Sequence, residues 1–346
     1  MNKIESARIS FPNSPFLKSG RQDPFLEFLK KSTLDIESKE EIDDADYLFL
    51  YPNHLNEMVN ICKTNKNKIL IFVTSESLTP DFNLFDYAIA YDPMTFGDRY
   101  CQFNYQAQLF EYLLEDIVPQ DIITQKTRFC NFLYSNPNSH KNRDLIFHKL
   151  SKYKKVDSLG TYLRNVVQTV SHRHSENFFM DSVHEKKPYK FSIAFENACH
   201  TGYNTEKIIS SMLANTIPIY WGDNEISKYY NPESFINCND YETFDDVVKK
   251  VIELDQDDEK YLNVLRRSWK TDNQIQFLQT QKDNLIEFIN HIFSQPVHKA
   301  NRKPIGTFND FYSKHLFSCR YKWDEYYKKI HRWGHLVKKK IIRNNY

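Results

Sequence analysis

Residues 191–223 read FSIAFENACHTGYNTEKIISSMLANTIPIYWGD, and this stretch restricts the fold more narrowly than any other part of the chain. Phe191–Phe195 is a short apolar run of strand formers, ENACH follows as a polar loop, and Gly202 supplies a sharp turn. Asn204 or Thr205 is placed to cap a helix running to about Leu213, and Asn215 closes it. IPIYW then returns as a buried strand. Tyr203, Glu206 and Lys207 therefore fall at or inside the first turn of a helix. A helix start offers unpaired backbone N–H groups and the positive end of a dipole, so anions bind there. Lys207 adds a full positive charge, and the arrangement suits a diphosphate.

The chain has only 7 glycines in 346 residues, and they form neither a GxGxxG fingerprint nor a P-loop. Phosphate must then be held by side chains and helix ends. A formal net charge of +1 gives no global field for nucleic acid, which is not expected as a partner. The 6 cysteines are scattered, without a CxxC pair or zinc spacing, and read as reduced thiols of a cytosolic protein. MNKIESARISFPNS has no apolar signal-peptide core, and no apolar run approaches the ~18 residues needed to span a bilayer.

Length suggests two domains at roughly 150 residues each. Over residues 1–124, strand candidates ARISF, YLFLYP, KILIFVT and FDYAIAYD alternate with helical DPFLEFLKK and LNEMVNICKTN. Strands separated by helices imply a parallel sheet covered on both faces, with ligands at the strands' carboxyl ends. Glu76, just after KILIFVT, occupies such an end. Residues 108–124 read as a helix and a proline-interrupted linker. A second series fills residues 125–296: RFCNFLYSN, helix NRDLIFHKLSKY, strand KKVDS, a turn at Gly160, a mixed polar stretch over 165–189, and the central unit. SFINCND follows as a strand, with helices over YETFDDVVKKVIEL, DEKYLNVLRRSW and 274–294.

Residues 297–346 form a different tail. From Arg320 onward it carries nine Lys or Arg against two acids, a net of +7 that leaves about −6 for the rest. Trp323, Tyr327, Ile330, Trp333, Val337 and Ile341 share one helical face. A basic amphipathic helix with tryptophans is a membrane-surface pattern. The other reading is a helix packed on the body, bracing the first lobe.

The blocks FEN (195–197), GYNTEK (202–207), PIYWGD (218–223) and YNPESFIN (230–237) together resemble the signature of the α1,3-fucosyltransferases, glycosyltransferase family 10. Upstream, RFCNFLYSNPN resembles the strand opening the family's donor domain and LGTYLRN carries an arginine where the family has one, while DFNLFDYAIAYDPMTFGDRY in the first half resembles the bacterial members. The resemblance implies an α/β GT-B fold, two Rossmann-like parallel-sheet lobes facing across a cleft. GDP-fucose would bind the second lobe and a GlcNAc-containing oligosaccharide acceptor the first.

The implied reaction is transfer of L-fucose with inversion, forming an α1,3 or α1,4 linkage. Arg164 and Lys207 match the pair contacting the diphosphate, Glu206 the acid on the nucleotide side, Tyr203 a nucleotide-pocket tyrosine and Asn197 a neighbouring polar contact. Glu76 aligns with the general base, although Ser75-Glu76-Ser77 stands where bacterial members more often carry Gly-Glu-Asn. Glu196 either touches the sugar or holds its loop. The chemistry suits these types: a carboxylate of reference pKa ~4.3 is ionised at neutral pH and can take a hydroxyl proton. Fixed cations stabilise the charge that gathers on departing GDP.

No cofactor is expected beyond the donor, with Mn²⁺ or Mg²⁺ stimulation left open. The triplets Asp44-Ala45-Asp46 and Asp255-Gln256-Asp257 read as solvated charge rather than metal motifs, and His172 with His174 as a polar loop. The alternatives are a transferase of another nucleotide-sugar and a non-catalytic glycan-binding protein of the membrane surface. The expected location is cytoplasmic, peripheral on the inner face of a bacterial membrane.

Overall fold

The computed structural model describes residues 6–104 apart from Thr33, residues 118–167 and residues 178–304, with a few further positions up to His315. The expected helix over 108–124 and most of the basic tail lie largely outside these residues.

The first lobe holds β1 (Ala7–Ser10), α1 (Pro24–Lys30), β2 (Ile36–Ser38), β3 (Tyr47–Leu50), α2 (Leu55–Thr64), β4 (Ile69–Val73), β5 (Tyr87–Ala90) and β6 (Tyr100–Gln102). Its strands lie in the order β2-β1-β3-β4-β5-β6, every neighbouring pair parallel. YLFL and ILIFV are buried at every position, as strands covered on both faces must be. α1 starts where Asp23 accepts from the Phe25 and Leu26 amides, with Pro24 just inside.

The second lobe holds β7 (Arg128–Phe132), α3 (Asn142–Tyr153), β8 (Val156–Ser158), α4 (Phe178–Lys186), β9 (Tyr189–Phe195), α5 (Glu206–Leu213), β10 (Ile217–Trp221), β11 (Ile236–Asn237), α6 (Phe244–Gln256) and α7 (Asp258–Leu265). Its order is β11-β10-β9-β7-β8, again wholly parallel. The order in which the chain lays down its strands reverses between β7 and β9, which opens a crevice at their carboxyl ends. Two parallel-sheet lobes flanked by helices follow, as the alternating pattern predicts.

Several short elements differ from the sequence reading. β2 and β6 have three residues each, too few for an apolar pattern to stand out. α4 lies within the stretch read as mixed and partly loop. SFINCND keeps only two strand residues, because the Asn237 side chain accepts from the Asn239 amide and turns the chain into a 3₁₀ turn.

α8 (Asp272–Ser294) opens on a capping box between Thr271 and Gln274. Leu278 packs with Ile208, Met212 and Tyr220 of the second lobe. Leu285, Ile289 and Ile292 instead enter the first-lobe core beside Phe49, Ile71 and Ile89. Ala300 joins that core, and Lys303 is buried against Asp86, Nζ to Oδ2 2.8 Å, with relative exposures of 6% and 0%. The chain around 300–303 thus braces the first lobe.

Candidate active site between the lobes

Parallel strands that end at one edge bring together side chains far apart in sequence. Glu76 follows β4, Asp92 follows β5, Glu196 follows β9 and Asp223 follows β10. These four carboxylates lie where the carboxyl ends of the two sheets face each other.

The central turn is made by three fits. Gly202 has φ +83°, and a Cβ there would stand 2.1 Å from the Tyr91 carbonyl oxygen of the first lobe. Only glycine can occupy that backbone conformation at such an approach. The Asp223 carboxylate accepts from Gly202 N at 2.7 Å and Asn204 Nδ2 at 2.9 Å. Asn104 of the first lobe donates to the Asn204 carbonyl at 3.0 Å. Burial pushes the Asp223 carboxyl above its ordinary range, against these donors.

α5 then starts with Thr205 as its cap residue, as expected, yet the Thr205 hydroxyl does not cap the helix. Thr205 N and Oγ1 both donate to Glu196 Oε1 at 2.9 Å. Lys207 Nζ stands 2.9 Å from Glu196 Oε2, 2.7 Å from Thr205 Oγ1 and 3.4 Å from Glu206 Oε1. Glu196 therefore takes a backbone amide, a hydroxyl and an ammonium, the donor set a phosphate would want. Burial lifts the Glu196 carboxyl, and Lys207 opposes it. For Glu206 burial also pushes upward, but Lys207 and the helix-start amide hold the carboxyl below the usual range. Against desolvation, Glu196 and Glu206 hold the Lys207 ammonium firmly protonated. Beneath them Lys186 is buried against Ser210 Oγ at 2.6 Å, and burial lowers it to about 7.

Glu76 projects into a cleft cavity of about 450 Å³ lined from both lobes by Pro52, Asn53, Ser77, Asn138 and Asn197 among others. Its Oε2 accepts from Asn197 Nδ2 at 3.4 Å. Glu76 and Asn197 are thus brought together, and Asn197 is adjacent to the Glu196–Lys207 cluster. Tyr203 is the residue expected as a nucleotide contact. It is 2% exposed, its ring edge-on to Tyr91 at 5.1 Å, and here serves as an interlobe contact. Arg164 stands in the loop after β8, Nε 3.1 Å from the Gly160 carbonyl. It lines a separate cavity of about 810 Å³, which Lys207 does not line.

Three of the four acids of the two DxD triplets have protein partners. Asp46 forms a two-pronged pair with Arg8 at 2.9 Å. Asp255 accepts from Tyr153 and Lys154, and Asp257 caps α7. Among the described residues no group of three or more His, Cys, Asp and Glu is placed to hold a metal, and no helix is long and apolar enough to cross a membrane. His172 and His174 lie outside the described residues. Sequence reasoning missed Ser77, Asp92, His200 and Asp223. Of these, His200 in an otherwise small-residue loop and the acids ending two apolar strands were the available signals.

Two crystal structures of an α1,3-fucosyltransferase superpose on the chain: one described without a ligand, with a TM-score of 0.71 over 88% of this chain and 95% of that one, and one with GDP-fucose, at 0.68 over 85% and 93%. Identities of 24% and 23% make this a likeness of fold, and the fold is the two-lobed GT-B arrangement. The family model described as glycosyltransferase family 10 (fucosyltransferase) C-term matches residues 123–305, over half the chain, and that of the alpha-(1,3)-fucosyltransferase FucT N-terminal domain matches residues 17–108. The chain belongs to glycosyltransferase family 10. Its relatives include the alpha-(1,3)-fucosyltransferase FucT of Helicobacter pylori, 30% identical over an alignment of 234 positions that covers 58% of this chain and 47% of that protein. A putative fucosyltransferase of Acanthamoeba polyphaga mimivirus is 37% identical over 148 residues, 42% of this chain and 24% of that one. The chain thus spans less than half the length of these curated relatives.

Proposed function

We propose that the protein transfers L-fucose from GDP-fucose to a GlcNAc hydroxyl of an oligosaccharide, with inversion, forming an α1,3 or α1,4 linkage. One observation carries this reading beyond family membership. Glu76 of the first lobe meets Asn197 of the second at 3.4 Å, one residue from the buried Glu196 that holds Lys207. A base and a cationic anchor so face one cleft from opposite sides.

In this reaction the acceptor oxygen attacks the anomeric carbon as its bond to the β-phosphate oxygen breaks. The electron pair leaves with GDP, and Glu76 receives the hydroxyl proton. Lys207 and the start of α5 stabilise the charge gathering on the diphosphate. The 3.4 Å contact to Glu206 is the longest that Lys207 makes. A diphosphate oxygen displaces it most easily, which frees Glu206 for the ribose hydroxyls. Family resemblance makes Arg164 the second cation of the donor site, although here it lines a cavity apart from Lys207. Glu196, Asn197 and Tyr203 frame the donor loop. The basic tail holds the enzyme on the inner face of a bacterial membrane.

Purified protein incubated with GDP-fucose and N-acetyllactosamine should yield a trisaccharide by mass spectrometry. Turnover of another sugar nucleotide, with no fucosylated product from any GlcNAc acceptor, overturns the reading.

A further inference from the structure

His200 joins the two lobes beside Glu76. From the second-lobe loop its Nδ1 lies 2.8 Å from Ser77 Oγ, and its Nε2 lies 2.8 Å from Asp92 Oδ1. Thr79 Oγ1 donates to the same Asp92 oxygen at 2.8 Å. The other, Oδ2, is buried without a partner. A buried carboxylate oxygen left bare favours a cation alongside it, and the imidazolium supplies one.

The first-lobe turn is pinned on both sides of its carboxylate. Thr74 Oγ1 accepts from Glu76 N at 2.9 Å and donates to the Glu76 carbonyl at 2.8 Å. Ser77, the next residue, is held by His200. The His200 carbonyl in turn accepts from Tyr203 N at 3.0 Å, closing the turn that leads into α5. The segment that begins at Glu196 and ends at Lys207 therefore grips the Glu76 turn through one imidazole.

We propose that His200 is a positioning residue, which orients the Glu76 carboxylate by clasping Ser77 and Asp92 from the donor-binding loop. The proposal rests on Glu76 being the base. His200 touches neither sugar nor phosphate in this role. It ties the base to the loop that holds the donor.

The charge on the clasp gives a distinctive readout. The hydrogen bond to Asp92 raises His200 above its ordinary range, against burial, and the Asp92 and Asp223 charges add to the rise. Against burial, the same bond lowers Asp92. The other titratable groups around the ring are Glu76 next to Ser77, Cys199 on its own loop and Tyr203, whose ring is 6.4 Å away. A raised histidine is fully charged below its unfolded pKa of ~6.5 and loses the charge as pH rises through the folded value. The clasp is then strongest in mild acid and weakens on the alkaline side.

Turnover of the full chain is measured against pH, with GDP affinity by calorimetry and thermal midpoint as controls for folding. His200→Ala should lower kcat tenfold or more while GDP affinity stays within twofold. His200→Gln, whose amide can still reach Asp92, should recover much of kcat but lose the alkaline limb. Asp92→Asn should shift that limb to lower pH. Wild-type kcat and pH profile in His200→Ala, or an equal loss of GDP affinity and kcat, overturns the role. Glu76→Gln separates the two readings. Full turnover there refutes the base and this role with it. An inactive Glu76→Gln beside an unaffected His200→Ala refutes only the clasp.

Discussion

The Lys207 ammonium lies 2.9 Å from a carboxylate oxygen of Glu196, which has no exposure to solvent, while Lys207 itself is 21% exposed. One end of this pair belongs to the core and the other is partly exposed, so the carboxylate fixes the cation in place. Preorganised charge of this kind would need little rearrangement to take the diphosphate proposed for this site.

Lys207→Met strands the buried carboxylate and should cost on the order of 3–5 kcal/mol in urea denaturation at neutral pH. Adding Glu196→Gln should recover part of that loss. Because burial raises Glu196, its protonated form suits the folded state. The deficit of Lys207→Met should therefore shrink as pH falls towards about 5. A deficit that grows in acid would refute the assignment of the cost to Glu196.

Glu76→Gln keeps the shape and the Asn197 neighbour but cannot take a proton. Turnover should fall by about 10²–10⁴, with the GDP dissociation constant unchanged by calorimetry. Donor release in parallel with lost turnover would instead place Glu76 on the donor.

Gly202→Ala puts a methyl group 2.1 Å from the Tyr91 carbonyl in a backbone conformation L-residues avoid. The strain alone costs ~1–3 kcal/mol. Relief requires the loop carrying Gly202 and the first lobe to separate, so thermal stability and kcat should drop together. Wild-type values in both would mean that the lobes do not meet here.

Lys303→Met removes the cation beside Asp86, and both side chains are almost wholly buried. The loss should be on the order of 3–5 kcal/mol. Deletion from Trp323 onward leaves this pair intact and should spare both stability and turnover on soluble acceptors while weakening binding to anionic liposomes. Unchanged liposome sedimentation would remove the membrane role of the tail.

The central unit was readable because its signals are local. Apolar runs, a glycine turn and a cap residue place β9, α5 and β10 where periodicity puts them. The same holds for α3, whose span Asn142–Tyr153 coincides with the pattern. What the chain did not disclose depends on long-range pairing. β2 and β6 exist because neighbouring strands supply the hydrogen bonds, and α4 is hidden in a polar stretch. Ser77 and Asp92 meet His200 from more than a hundred residues away, which no local pattern encodes. The position of Glu206 and Lys207 at a helix start was legible. That Glu196 binds Thr205 and Lys207 there was not, because Glu196 shows only as a polar residue ending an apolar strand.

The passage of α8 from one core to the other has a consequence for biosynthesis. The first-lobe core is completed by Leu285, Ile289, Ile292 and Ala300, residues translated long after its sheet. Domains ordinarily fold in the order they leave the ribosome. Here the lobe made first must wait, with part of its apolar face uncovered, until the second lobe has emerged and the late helix can return to it.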